Sequence, residues 1–397
     1  MGNIFSDRIS DVPRSFIREI LKVAVDETVI SFAGGLPNRE LFPLEEIKAA
    51  SNRILNEFGR DVLQYSTSEG FPELRQWIAV RYRETKGISV DPANILITAG
   101  SQQGLDLLGK TFLNEGDGVV IEEPGYLGAI QAFSIYRSAF HPVPVDIDGI
   151  DTLMLERAVS DRRSKLFYCV PNFQNPSGIS YSIDNRDKAA GILKGRTTIL
   201  VEDDPYGELR FLGMDRPSFY RLIPENTVLL GSFSKIVAPS FRIGWIMAKD
   251  EILEKLIIAK QASDLHTNYF GQRLILQYLK DNDIDEHIRK IREAYGRQRD
   301  AMVNAIKEHF PDDVCFTEPE GGMFLWVTLP VQIAAMDVFR EAIKHKVAFV
   351  PGDPFYVNRR NVNTLRLNFS SVDEETIRTG IRRLGDVLKD MINARCF

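Results

Sequence analysis

The sequence predicts an α/β protein, with a large domain on a mainly parallel sheet followed by a smaller α+β domain. Three observations carry that prediction. The chain has 397 residues, and chains longer than roughly 250–300 residues divide into domains rather than extend one core. Between about Ala93 and Lys260, short apolar runs alternate with helical patterns. After about Asp264 the texture changes to a long charged helix, short strands and a last helix.

Taken in order, the first forty or so residues contain FAGGLPN, a glycine-rich turn, and too little structure for a domain, so they must pack on another part of the chain. The runs NILITAG, GVVIEEP, KLFYCVP, TTILVEDD and VLLGSF are continuously apolar rather than alternating. Such runs suit strands buried on both faces. Between them lie helical patterns such as SQQGLDLLGKTFL and DNRDKAAGILKG, so right-handed crossovers follow. The later part reads as the amphipathic helix IDEHIRKIREAYGRQRDAMVNAIKEHF, the strands GGMFLWVTL, VAFVPG and TLRLNFS, and the helix EETIRTGIRRLGDVLKDMI.

Composition narrows the partners. A formal net charge of -6 and the lack of a basic tract argue against nucleic acid and anionic lipid. Cys169, Cys315 and Cys396 have no CxxC spacing, which fits a reducing compartment without a zinc site or disulfide framework. No apolar run reaches membrane-spanning length, and MGNIFSDRISD lacks a signal-peptide core. A cytoplasmic protein with a small-molecule partner is expected. The start also spells a myristoylation pattern, but no polybasic stretch follows to supply a second membrane signal.

Sites in parallel sheets lie at the carboxyl ends of strands, where Asp203, Asn175 and Lys235 all fall. Lys235 in GSFSKIVAPSFRIGW leaves a core strand among small hydroxyl residues, and an ammonium there needs either a partner or a chemical use. Ser232, Ser234 and Arg242 around it suit an anion, and Arg242 precedes an apolar strand, which predicts a buried guanidinium. The start of SQQGLDLL offers free amides with Ser101 and Gln102, either a plain N-cap or a phosphate site. VEDDPYGEL presents Asp203 and Tyr206, and VPNFQNPSG presents Asn172 and Asn175 in a turn. GLDLLGKT at 104–111 fits the phosphate-loop pattern, with TTILVEDD as an acidic strand. Leu105, Leu107 and Leu108, however, fit a helix already under way.

Pyridoxal phosphate accounts for the whole set: it needs a lysine for its aldehyde, an acid for its ring nitrogen, donors for its phenolic oxygen and an anion site. The run SFSKxxxPSFRIGW, with NPSG and EDDPYGEL upstream, resembles the pyridoxal-phosphate-dependent aminotransferases of fold type I, classes I and II. FAGGLPN, LQYSTSEGFPELR, ITAGSQQGLDL, EEPGYLGAI, PNFQNPSG, GSFSK, PEGGMF, VAFVPG and NTLRLNFS together look like the 2-aminoadipate and kynurenine aminotransferase branch. Ser177, where threonine is commoner, and Phe241 depart from its pattern.

The resemblance implies a mainly parallel seven-stranded sheet in a large domain over 46–285, an α+β domain over 286–397, and a segment over 1–45 lying against the small domain and the active site. It implies that Lys235 binds the cofactor and carries a proton at the substrate's α-carbon, that Asp203 faces the ring nitrogen, and that Asn175 and Tyr206 meet the phenolic oxygen. Tyr126 would stack on the ring, while Ser101, Gln102, Ser232, Ser234 and Arg242 would hold the phosphate. Tyr65 would reach it from the other subunit of a homodimer. Arg366 would clamp the α-carboxylate, Gly34 and Gly35 would pass over the substrate, and Arg18 would meet a distal carboxylate. The implied activity is transfer of an amino group from an L-amino acid to 2-oxoglutarate by a ping-pong route. A lyase or decarboxylase could share every cofactor residue, and a nucleotide hydrolase on Gly104–Thr111 is the remote alternative. Regulator-fused relatives carry a DNA-binding domain, for which this chain has no room.

Overall fold

The structure, a computed structural model, describes residues 4–10, 12, 26 and 28–393. A short β1 (Ile30–Ser31) precedes the strands of the large sheet: β2 (Ile95–Thr98), β3 (Gly118–Glu123), β4 (Ala139–Asp146), β5 (Gly149–Ile150), β6 (Ser164–Cys169), β7 (Ile199–Asp203), β8 (Thr227–Ser232) and β9 (Gly244–Met247). Beyond the helix Ile284–His309 come β10 (Cys315–Phe316), β11 (Phe324–Thr328), β12 (Val347–Ala348), β13 (Val350–Pro351) and β14 (Thr364–Asn368).

The large sheet has the order β2-β9-β8-β7-β6-β3-β4-β5. Its five apolar runs became β2, β3, β6, β7 and β8, and nearly every residue in them is buried. Helices cover both faces, so no position alternates toward water, which is why the runs lack a period of two. β9 runs antiparallel to both β8 and β2. The carboxyl ends of β2, β3, β6, β7 and β8 therefore all reach one edge of the sheet, where β9 begins.

β4 was not apparent from its sequence, AFHPVPVD. Pro142 and Pro144 break the strand signal, yet both pair with β3 in register. Spaced two apart, they turn their missing donors to the same side, away from β3, where β5 pairs only with Val145 and Asp146. The two-residue β5 caps β4 in antiparallel fashion, adding an eighth strand to the expected seven.

The later part forms an antiparallel sheet, β10-β11-β14-β13. The helices Ile284–His309 and Glu374–Asn393 pack together, and Ile288, Ile291, Met302 and Ile306 of the first and Ile381, Leu384 and Leu388 of the second are buried. Residues Ile30 and Ser31 pair parallel with Val347 and Ala348, so the N-terminal segment is stitched to this later part. Gly104–Thr111 lies inside the helix Ser101–Phe112, where Lys110 pairs with Asp106 at 2.6 Å. It is a helix face rather than a phosphate loop.

Among the described residues no helix is long and apolar enough to cross a membrane, and no group of side chains could hold a metal ion. Cys169 is buried and Cys315 exposed, both as free thiols; Cys396 lies outside the described residues.

Candidate active site

At the shared strand edge lies a cavity of about 380 Å³. It is lined by Gly35, Ser101, Gln102, Tyr126, Asn175, Asp203, Tyr206, Ser232, Ser234, Lys235, Arg242 and Arg366. The sheet geometry explains this convergence for all but Gly35 and Arg366: the others lie on the ends of neighbouring strands or on the loops at that same edge. Of the residues singled out from sequence, Tyr65 does not line the cavity of its own chain; it is 78% exposed and meets His266 edge-on at 5.6 Å. Arg18 lies outside the described residues.

Lys235 sits just past β8 with its Nζ 2.8 Å from the carbonyl oxygen of Gly35. Burial, with Arg366 and Arg242 nearby, lowers its pKa to about 8. A carbonyl satisfies the ammonium without a counter-charge, so the amine is easily made neutral. Asp203 ends β7, 2% exposed, and its Oδ2 accepts from the Tyr168 hydroxyl at 2.8 Å. Its Oδ1 is buried with no partner. Burial raises this carboxyl to about 7, against the Tyr168 hydrogen bond, which acts to lower it.

Arg366, from β14, is 3% exposed and faces the same cavity from the other sheet. Its Nη1 donates to Asn175 Oδ1 and its Nη2 to the Ala33 carbonyl, each at 2.8 Å. The guanidinium lies 4.3 Å from the Phe324 ring centroid and its Nε has no partner. Burial lowers its pKa to about 10. Among the described residues no carboxylate pairs with it, an arrangement that costs energy until an anion arrives. Asn175 also approaches the Tyr206 hydroxyl at 3.5 Å, and Tyr126 stacks beside Tyr168 with rings 25° apart.

The third corner is a cradle of donors. Gly100 caps the helix Ser101–Phe112 with φ +77°, so Ser101 is the first helical residue rather than the N-cap considered from sequence. A side chain at Gly100 would run into the Arg242 guanidinium, which leaves glycine as the residue for that turn. Ser232 Oγ accepts from the Ser234 amide at 3.0 Å and lies 2.9 Å from Ser234 Oγ. Arg242 Nη1 reaches Ser234 Oγ at 3.4 Å and its Nη2 the Ala99 carbonyl at 3.3 Å. The expectation of a buried Arg242 is corrected: the side chain is exposed, because a left-handed φ of 52° turns it out of β9 toward the strand edge.

Four contributors escaped sequence reading: two side chains and two backbone carbonyls. Tyr168 looked like another apolar member of KLFYCVP, though a hydroxyl in an otherwise dry strand needs a partner. Phe324, within PEGGMF, carried no signal beyond its motif. The carbonyls of Ala33 and Gly35 are backbone atoms, and no side-chain pattern marks them.

These features fit a phosphorylated pyridine aldehyde. The orphan oxygen of Asp203 suits a protonated ring nitrogen, the low-pKa lysine an aldehyde, and the acid-free donor cradle a phosphate. Fold and cavity thus define a pyridoxal-phosphate enzyme. The family model described as aminotransferase class I and II matches residues 27–384. The aromatic-amino-acid aminotransferase 1 of Thermococcus litoralis is 42% identical, over 97% of this chain and 94% of that protein. The 2-aminoadipate transaminase of Thermus thermophilus is also 42% identical, over 96% of this chain and 95% of its own. A crystal structure of Pyrococcus horikoshii kynurenine aminotransferase in complex with PMP superposes with a TM-score of 0.93, at 42% identity and 98% coverage of both chains. The chain belongs to the class I and II aminotransferases, in their 2-aminoadipate and kynurenine branch, and its cofactor is pyridoxal phosphate.

Proposed function

We propose that this aminotransferase takes the amino group of an L-amino acid, 2-aminoadipate or an aromatic or bulky aliphatic one, and delivers it to 2-oxoglutarate in two alternating half-reactions. The observation that carries the reading is Arg366: a buried guanidinium with an unpartnered Nε and no carboxylate partner among the described residues, facing the same cavity as Lys235. A planar fork suits the α-carboxylate shared by every donor and acceptor of such a reaction. The names of relatives that match almost the whole chain, for aromatic amino acids and 2-aminoadipate, support the donor class.

When bound, pyridoxal phosphate supplies an electron sink for the substrate's α-carbon. Lys235 Nζ binds the aldehyde and, once free, takes and returns the α-proton, a task suited to an amine poised near neutral pH. Asp203 holds the ring nitrogen protonated, while Asn175 and Tyr206 donate to the phenolic oxygen. Tyr126 covers the ring face. Ser101, Gln102, Ser232, Ser234 and Arg242 anchor the phosphate. Gly35 lies over the substrate, and Arg18 meets a distal carboxylate. The enzyme works in the cytosol as a homodimer, each copy lending Tyr65 to the other's cavity; the exposure of Tyr65 supports this.

The test is the visible spectrum of the cofactor-loaded protein. L-2-aminoadipate alone should bleach the yellow band, and 2-oxoglutarate should restore it. A yellow protein that ignores both compounds, and also ignores aromatic and bulky aliphatic L-amino acids, refutes the assignment.

A further inference from the structure

Lys260 closes the helix Asp250–Gln261 and is 0% exposed. It lines no part of the cavity described above. Its ammonium nevertheless makes a full set of contacts. Nζ donates to Asp264 Oδ1 at 2.8 Å and Oδ2 at 3.0 Å, to Thr267 Oγ1 at 2.9 Å and to Gln103 Oε1 at 3.1 Å.

Two of those partners lead to the donor cradle. Gln103 Oε1 also accepts from the Ala99 amide at 2.8 Å, and the Ala99 carbonyl accepts from Arg242 Nη2 at 3.3 Å. Thr267 Oγ1 donates to the Ile97 carbonyl at 3.1 Å, within the strand that feeds the same turn. The charge of one buried lysine is thus spent on the backbone of β2 and the turn between that strand and Ser101. A fully buried lysine is uncommon unless paired, and here Asp264, with its side chain 29% exposed, supplies the counter-charge. A methionine could fill the same space without any of these hydrogen bonds. The polar network therefore does something that packing alone does not require.

We infer that Lys260 is a positioning residue for phosphate recognition: through Gln103 and Thr267 it fixes the Ile97–Ser101 turn, and so sets where the Ser101 and Gln102 amides and Arg242 meet the cofactor's phosphate. The inference rests on the proposed role of that cradle. It acts through groups that touch the phosphate and not on the pyridine ring, and that separation makes it testable.

The experiment compares the dissociation constants of pyridoxal phosphate and of pyridoxal, which lacks the phosphate, for wild type, Lys260→Met and Gln103→Leu. The removal of one hydrogen bond's worth of positioning predicts a loss of about tenfold in pyridoxal phosphate affinity for both variants, with pyridoxal affinity unchanged. The double variant should lose no more than the worse single, because both act on one chain of contacts. Gln103→Leu keeps the buried ammonium paired with Asp264, so the test survives if Lys260→Met does not fold. Equal loss of both ligands means that Lys260 is merely structural and overturns the inference. Unchanged affinity for both overturns it as well. A wild-type protein that does not prefer the phosphorylated ligand overturns the cradle itself, a failure visible before any variant is made.

Discussion

Lys235 Nζ donates to the carbonyl of Gly35 at 2.8 Å across 200 positions of sequence. Two residues earlier, the Ala33 carbonyl takes the Arg366 guanidinium at the same distance. One short segment of backbone therefore accepts from both cations of the proposed chemistry, without neutralising either. A carboxylate in that place would hold both charges permanently; a carbonyl, a weaker acceptor, is displaced at lower cost.

Replacement of Lys235 by Ala should lower turnover on the order of ten-thousand-fold or more, as for other groups that act as a unit with the reacting atoms. The cofactor should still bind, but without a covalent link. Steady-state rates and mass spectrometry of borohydride-treated protein check both points, and near-normal activity would remove Lys235 from the mechanism.

Capture of the cofactor aldehyde should speed up as pH rises through about 8, because only the neutral amine attacks and the Lys235 pKa lies there. Stopped-flow absorbance on cofactor-free protein gives the profile. A rate that keeps climbing through the ordinary lysine range would mean that burial does not tune this amine.

The same shifts make stability depend on pH. Burial raises the Asp203 and Glu122 carboxyls to about 7, so below that value the folded chain keeps protons that the unfolded chain has already released. Stability of the cofactor-free protein should fall as pH climbs from the ordinary carboxylate range through the raised values. Lys235 acts in the opposite direction: above its lowered pKa the unfolded chain still holds a proton that the folded chain has lost, and stability recovers. Melting temperatures across this range should show Asp203→Asn flattening part of the fall and Lys235→Met removing the recovery. Profiles identical to wild type would contradict the burial argument.

Arg366→Lys should raise KM for amino and oxo acids by about tenfold to a hundredfold, since one ammonium cannot reproduce the fork. Lys would also leave Asn175 Oδ1 or the Ala33 carbonyl unpaired. Steady-state kinetics with two chemically different donors should show the same loss for both. A loss confined to one donor would move Arg366 from the α-carboxylate to the side-chain end of the cavity.

Lys110→Ala tests the motif that the fold does not use. It removes a half-exposed pair with Asp106, worth about 0.5 kcal/mol at most, and should leave aminotransferase rates unchanged. Magnesium-dependent ATP hydrolysis that disappears with this variant would reinstate the nucleotide reading.

The sequence by itself determined the continuously apolar strands and which polar residues stand at their ends. Continuous apolar runs are local, and the motifs around Asn175, Asp203 and Lys235 are short enough to read within a dozen residues. β4 was hidden because its prolines are acceptable only where no neighbouring strand needs their donors, and β5 pairs with β4 only beyond them; that is decided by pairing, not by composition. Tertiary structure alone decided that Arg366, from the second sheet, would reach Asn175, that the Ala33 and Gly35 carbonyls would cap the two cations, and that Arg242 would turn outward. It also decided that Lys260, ordinary within DEILEKLIIAKQ, would end fully buried behind the donor cradle. Most of these depend on groups dozens to hundreds of positions apart, and several are backbone atoms common to every residue. Local sequence specifies which side chains a strand end carries; only the closed fold, where burial sets their charge and neighbours set their hydrogen bonds, specifies what they meet.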